Sequence, residues 1–156
     1  MATLQEQIVA YAAALLTGID GVGNRIYRSR QEAYSRDESP SISVEPGTAT
    51  TATEPVSTCK IDWTLQLLIA VFSRGTVPPS GTPLLGLSAD QVADPVIQSV
   101  HGRMMTDRAM GGLAMDCWLL SRDPQLVSAE DPSMVTVLTY QVRYRTSITD
   151  LSVSAP

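Results

Sequence analysis

The opening residues repeat apolar side chains with the period of a helix. One apolar stripe, at spacings of four, three and four, is formed by Leu4, Ile8, Tyr11 and Leu15. Thr3 and Glu6 have the spacing of a capping box in front of this stripe. Gly18 follows it, where a helix commonly ends. The pattern therefore predicts a first helix, α1, that extends from Thr3 to about residue 17.

Further along the chain the apolar period changes from that of a helix to that of a strand. Apolar and polar residues alternate over 41–45, 59–66 and 138–148. Residues 67–72 continue the second of these segments with apolar residues on both faces, and two shorter segments, 24–29 and 113–120, have strand-like composition. The polar set of the long segment is Lys60, Asp62, Thr64 and Gln66, and that of the last segment is Thr139, Gln141, Arg143 and Arg145. We therefore predict five strands, β1 at 24–29, β2 at 41–45, β3 at 59–72, β4 at 113–120 and β5 at 138–148. Segment 113–120 is hydrophobic throughout, which favours the sheet interior for β4.

A second helix, α2, is predicted between β3 and β4. Asp94 is a suitable N-cap, Pro95 suits the first helical position, and the apolar stripe behind them extends to about Asp107. Polar or Gly/Pro-rich residues at 47–54 and 75–90 predict mobile loops. The order α1-β1-β2-β3-α2-β4-β5 predicts an α+β fold of one domain, 1–156. In it a mainly antiparallel sheet of four to five strands carries two amphipathic helices on one face.

The charge and composition exclude several classes of protein. With 11 Lys+Arg against 16 Asp+Glu, the net charge of −5 argues against general affinity for nucleic acid. The apolar runs at 8–16 and 67–72 are far shorter than a membrane span requires, so we expect no membrane association. The two cysteines are too few for a disulfide framework and fit a reducing compartment such as the cytosol.

Few residues are available for catalysis or metal binding. His101 is the single imidazole, and Cys59 and Cys117 lack the close spacing that marks zinc ligands. Both cysteines occupy apolar positions of predicted strands, where a thiol behaves as a small hydrophobic group. Asp62 and Asp116 lie on different strands and could pair as acid and base. We predict no enzyme, no cofactor and no metal; the alternative is a small ligand-binding or metal-binding enzyme domain that uses His101 and Cys117 with these carboxylates.

Arginine dominates the basic residues. Arg25, Arg28, Arg30 and Arg36 cluster among acidic residues, and Arg143 and Arg145 lie on the polar side of the last strand. Such mixed-charge patches suit contacts between protein subunits, because arginine forms planar, bidentate ion pairs. Ordinary solvated surface charge is the alternative.

The chain resembles the tail terminator proteins of long-tailed bacteriophages, the minor tail protein U type. The resemblance rests on the opening helix, the glycine turn before Asn24, the strand at 40–44, the long segment 59–72, the Asp94-Pro95 helix and the strand at 142–146. It implies an α+β subunit that forms a homohexameric ring at the head-proximal end of the tail tube. The ring would end tube polymerisation and offer a surface to the head connector, without catalysis.

The resemblance also implies partners and a location. The expected partners are further copies of the chain, the major tail tube protein and the head-tail connector or neck protein. The expected location is the virion tail, after assembly in the host bacterial cytoplasm. DNA would pass through the lumen without specific binding, and an acidic inner wall would help it to slide. From the residues themselves we expect Arg28, Arg30, Arg143 and Arg145 to contact a subunit or partner. A head-tail joining or neck protein is the alternative among virion proteins.

Overall fold

The computed structural model describes residues 1–51, 59–76, 86–128 and 133–154. Its elements follow the predicted order: α1 (Leu4–Leu16), β1 (Ile26–Arg28), β2 (Ser41–Thr51), β3 (Lys60–Arg74), α2 (Ala89–Thr106), β4 (Asp116–Ser128) and β5 (Ser133–Ser147). Short 3₁₀ turns occur at Arg36–Glu38 and Met110–Gly112. The α+β class is confirmed. Among the described helices, none is long and apolar enough to cross a membrane.

The five strands of the described chain form one sheet in the order β1-β2-β3-β5-β4. β1 pairs with β2 in parallel, and the other neighbours are antiparallel. β3 and β5 pair without interruption from Lys60 opposite Ser147 to Arg74 opposite Ser133. This long central pair explains the strong alternation in both strands, because each has one face towards the helices and one away from them.

The core lies between the helices and one face of the sheet. β3 and β5 place paired residues there, including Leu65 beside Val142 and Leu67 beside Tyr140, and all four side chains are buried. The helices supply buried residues from their apolar stripes: Leu4, Ile8, Leu16, Val96, Val100 and Met104. Burial of apolar surface from both layers is the main stabilising term for such a fold.

The two helices are joined at the end of α1 by one side chain. The Arg103 guanidinium donates to the carbonyl oxygens of Leu15 at 2.9 Å, Thr17 at 2.6 Å and Gly18 at 3.1 Å. These carbonyls belong to the last turn of α1 or follow it, where helical partners are missing and the helix dipole favours a cation. Gly18 has a φ of 79°, the left-handed conformation predicted for the residue that ends the helix.

The predicted start of α2 is wrong by six residues. The helix begins at Ala89 after the N-cap Ser88, whose backbone N–H donates to the Gln91 side chain at 3.0 Å. Pro95 therefore lies inside the helix, not at its first position. The capping box of Ser88 and Gln91 starts the helix before Asp94, and Pro95, the seventh helical residue, leaves the helix without one backbone N–H donor.

One predicted loop is partly a strand, and another is partly a helix. Residues 47–51 continue β2 beyond a register shift between Pro46 and Ala49, and the remainder of the 47–54 loop is outside the described residues. Of the 75–90 loop, Ala89 and Asp90 belong to α2, and 77–85 is also outside the described residues. β4 begins at Asp116 and extends to Ser128, past the predicted end at 120. Pairing with β5 explains this length, because it gives polar residues strand partners that the local pattern does not indicate.

Candidate interaction surfaces

Arg28 and Arg30 are held by acidic residues of the same subunit. Arg28 makes a bidentate ion pair with Glu6 of α1, at 2.9 and 3.1 Å. Arg30 binds both carboxylate oxygens of Glu38, at 2.6 and 3.0 Å. Each arginine therefore has a partner within the fold, and the predicted role of both in a subunit contact stays a prediction.

Aromatic rings complete the surroundings of Arg30. Its guanidinium lies 4.4 Å from the centre of the Tyr27 ring and 4.8 Å from that of Tyr34, within the range of cation–π attraction. Tyr34 in turn stacks on Phe72 of β3, with ring centres 4.4 Å apart. The Arg30 hydrogen bonds lower the pKa of Glu38 to about 2, so this carboxylate is ionised at neutral pH. The cluster fixes residues 30–38 over one end of the sheet.

Arg143 and Arg145 lie on the sheet face that is turned away from the helices. Arg145 pairs with Asp62 across the central strands, with one N–O distance of 3.0 Å, and this hydrogen bond lowers the pKa of Asp62. Arg143 is exposed, and its register neighbour Asp116 is bound by Arg108 at 2.8 Å. Within the described ranges Arg143 makes no ion pair. It is therefore the predicted contact arginine whose side chain can still receive an acidic group.

The aspartates and the Cys117 thiol considered for catalysis are ion-paired or buried within the fold. Asp62 and Asp116 are ion-paired to Arg145 and Arg108, and β5 lies between the two strands that carry these aspartates. Cys117 is fully buried, and this burial raises the pKa of its thiol to about 11, so that the thiol is neutral at pH 7. A neutral buried thiol is neither a good nucleophile nor a good metal ligand.

His101 and Cys59 lie on different elements of the fold. The Nδ1 atom of His101, on α2, lies 3.2 Å from the hydroxyl of Tyr140, a buried residue of β5. Cys59 precedes β3 and is exposed with a φ of 56°, so the prediction that both cysteines point into the core is wrong for Cys59. Within the described part of the chain, no three His, Cys, Asp or Glu residues are grouped as metal ligands would be.

Half of the large apolar residues that are exposed in the described chain lie in β4 or directly before it. We call Met115, Leu119, Leu120, Leu126 and Val127 the edge strip; their side chains are between 36% and 68% exposed. β4 is an edge strand that pairs with β5 alone. The prediction of an interior β4 is thus wrong, because a hydrophobic segment also suits an edge that another surface covers.

The sequence contains one indication that β4 is an edge strand, which the hydrophobic pattern alone does not give. Pro124 lies within β4, opposite Thr136 of β5. A proline has no N–H for a ladder hydrogen bond and is found in edge strands or at bulges. Its position in a strand therefore indicates an edge, although it does not reveal which surfaces the edge would meet.

Comparison of the sequence with protein family profiles and with curated proteins found no match. Comparison of the fold with solved structures found similar chains, among them one in a structure titled "Virion of native gene transfer agent (GTA) particle". The similarity covers 92% of this chain and 96% of that chain, with a TM-score of 0.53 and 13% sequence identity. The two chains therefore share a fold over almost their whole length.

Proposed function

We propose that this chain is a structural subunit of a virion, and that it forms a ring that caps the head-proximal end of a phage tail tube. The ring would end tube polymerisation and provide the attachment surface for the head connector. DNA would pass through its lumen without specific binding. In this proposal the subunit has a binding role and carries out no chemistry.

The observation that carries the proposal is the shared fold. A chain in a virion structure matches the fold of this one over 92% of this chain, with a TM-score of 0.53 despite 13% sequence identity. The sequence resemblance to tail terminators adds a specific role to this general one. Both lines of support concern the architecture of the whole chain, so the proposal is an analogy at the level of the fold.

The state of the polar residues also favours a binding role. The acidic residues that could act as acid and base, Asp62 and Asp116, are ion-paired, and the Cys117 thiol is buried and neutral. By contrast, Arg143 and the edge strip are exposed. Groups of this kind are used in protein contacts, where arginine and apolar side chains are enriched.

The test is an assay of tube growth. Purified tail tube protein from the same particle is polymerised with increasing amounts of the chain, and tube lengths are measured by negative-stain electron microscopy. We expect shorter tubes and a ring of added density at one tube end. Unchanged tube lengths without added density at a tube end would contradict the terminator role. Binding to the purified connector without binding to tubes would favour a neck protein instead.

A further inference from the structure

The sheet face that is turned away from the helices differs between its two ends. At one end Tyr34 stacks on Phe72 of β3, with ring centres 4.4 Å apart, and Phe72 is buried. Towards the other end Gln66 of β3 and Arg143 of β5 lie on the same face, and both are exposed. This second end is therefore open to another molecule.

Charged side chains gather at the open end of this face. The strand register places Asp62 opposite Arg145 and Asp116 opposite Arg143. The hydrogen bond from Arg145 lowers the pKa of Asp62 most, and the nearby charges of Arg143 and Lys60 lower it further. We define the outer-face patch by the charged and aromatic residues gathered here: Lys60, Asp62, Arg108, Asp116, Trp118, Arg143 and Arg145.

The outer-face patch holds more positive charge than its own carboxylates neutralise. Arg145 binds Asp62, and Arg108 binds Asp116 at 2.8 Å. With four cations and two carboxylates, the patch has an excess of two positive charges in a chain whose net charge is −5. Because Arg143 makes no ion pair within the described ranges, its guanidinium is available for a bidentate contact with a further carboxylate.

Trp118 supplies a second hydrogen-bond donor beside Arg143. It pairs with Gln141, which is two residues from Arg143 along β5, and diagonal neighbours on one face are within reach of aromatic and long side chains. Trp118 is partly exposed, and among the described residues its indole N–H donates to no group. By contrast, Trp63 donates to the Thr146 hydroxyl at 3.0 Å. Tryptophan and arginine are the side chains that most often dominate the energy of protein contacts.

The arrangement of charges favours a protein carboxylate over a nucleic acid. Affinity for nucleic acid comes from several cations that neutralise successive phosphates. In the patch Asp116 lies opposite Arg143, and Asp62 is close enough to feel its charge, so a row of phosphates would meet two carboxylates. One available guanidinium beside an aromatic ring instead suits a single Asp or Glu side chain of a polypeptide.

We propose that the outer-face patch binds an acidic segment of a neighbouring protein chain. In this contact an Asp or Glu side chain of the segment accepts hydrogen bonds from the Arg143 guanidinium and the Trp118 indole N–H. The excess positive charge of the patch steers such a segment towards it. The inference goes beyond the proposed function, because it depends on the fold and the charges of this face and not on the terminator role.

The test follows the indole N–H signals of the two tryptophans in the nitrogen-15-labelled chain by NMR. The probe is a short peptide in which glutamate alternates with serine, and the control peptide has glutamine in place of every glutamate. Trp118→Phe assigns the two signals. Arg143→Gln tests the patch, and Arg28→Gln is the matched control, since Arg28 binds Glu6 at 2.9 Å. Circular dichroism checks that each variant folds.

We expect the Trp118 signal to shift saturably with the acidic peptide, and the Trp63 signal to stay in place because its N–H is already bonded to Thr146. Arg143→Gln should raise the Kd of the peptide about fivefold, the effect of losing one partly exposed charge contact. Arg28→Gln should leave the Kd unchanged. Added salt should weaken binding, because it screens the attraction between charges.

Three outcomes would overturn the proposal. One is a Trp118 signal that does not respond to the acidic peptide, and another is an equal response to the glutamine peptide. The third is displacement of the peptide by a short DNA duplex that shifts the Trp118 signal itself, which would assign the patch to nucleic acid. Because this assay contains no tail tubes, its failure leaves the terminator role standing, and failure of the tube assay leaves the peptide result standing.

Discussion

Glu38 accepts hydrogen bonds from three residues at once. Arg30 donates from two nitrogens, the backbone N–H of Ser35 donates at 2.7 Å, and the Tyr27 hydroxyl donates at 2.8 Å. All of these bonds favour the ionised carboxylate, and the bonds from Arg30 contribute most to lowering its pKa to about 2. One glutamate therefore holds together the strand β1, the turn at 36–38 and the aromatic pair above the sheet.

The lowered pKa predicts a specific response to acid. In the unfolded chain Glu38 titrates near the ordinary value of 4.5. The stability that its ionised form adds is therefore complete above that pH, and it is lost as the pH falls towards 2. We expect Glu38→Gln to lower the unfolding temperature at pH 7 and to flatten its fall between pH 4.5 and 2. Thermal unfolding measured across this range checks the prediction.

Glu32→Gln is the matched control for this experiment. Glu32 is exposed, and within the described residues its carboxylate makes no hydrogen bond. Its substitution should leave the unfolding temperature at pH 7 almost unchanged. Equal losses in both variants would show that the Glu38 cluster contributes no more than a solvated carboxylate.

Two neighbouring glycines differ in the space around them. Gly111 has a φ of 68°, and a Cβ added there would lie 2.9 Å from Cε2 of Tyr11. Gly112 has a φ of 85°, but nothing lies within 4 Å of an added Cβ. We expect Gly112→Ala to cost about 1–2 kcal/mol from the left-handed backbone alone. Gly111→Ala should cost more, because Tyr11 must move and weaken its 2.6 Å hydrogen bond to Asp107.

Urea unfolding of the two glycine variants tests this difference. The free energy of unfolding should fall further for Gly111→Ala than for Gly112→Ala. Equal values would mean that Tyr11 adjusts at no cost and that backbone strain is the whole effect.

At the scale of elements, the joint between α1 and α2 depends on Arg103. Its guanidinium meets three carbonyls at the end of α1, and hydrogen bonds from a charged donor are stronger than neutral ones. We expect Arg103→Ala to lower the free energy of unfolding by about 1–3 kcal/mol, because these carbonyls lose their donor. Denaturant unfolding measures the loss.

Arg122→Ala is the control for the helix joint. Arg122 is 47% exposed and 3.8 Å from Asp94, so removal of its charge should cost about 0–1 kcal/mol. A loss for Arg103→Ala as small as that for Arg122→Ala would contradict the role given to the joint.

The order and type of the elements could be predicted from periodicity, but their extent could not. The helix period at 4–15 and the strand period at 60–72 are local, and the structure has α1 and β3 there. The predicted start of α2 is wrong because Asp94-Pro95 and Ser88-Gln91 both resemble helix starts. The choice between them depends on packing against the sheet. The predicted range of β4 is too short because residues 121–128 are mostly polar and form a strand only by pairing with β5.

The position of β4 at the edge of the sheet could not be predicted from the local pattern, for a different reason. Sheet order is a long-range property, and here β5 lies between β3 and β4 although it follows both in the chain. A hydrophobic segment such as 117–120 fits a covered interior and an interaction edge equally well. Three of the four proposed arginines show the same limit, because their partners Glu6, Glu38 and Asp62 are identified only by the fold.

At the scale of the whole molecule, substitution of Arg143 tests the prediction that this arginine contacts a neighbouring subunit in the ring. Arg143→Ala removes an exposed cation that has no ion pair within the described ranges, and we expect it to raise the concentration needed for self-association. Arg28→Ala is the control, since Arg28 already binds Glu6 at 2.9 Å and should matter little between subunits. Light scattering of both variants compares them. An effect of Arg28→Ala alone would reverse the assignment.

The measurement that tests the central claim most directly is the native mass of the wild-type chain over a concentration series, with negative-stain images of the same sample. Six copies of 16.7 kDa predict a closed ring of about 100 kDa, because a heterologous contact closes into a cyclic assembly. We expect such a ring either in solution or after short tail tubes are added as templates. A chain that remains a monomer in solution and forms no ring on the tubes would contradict the account.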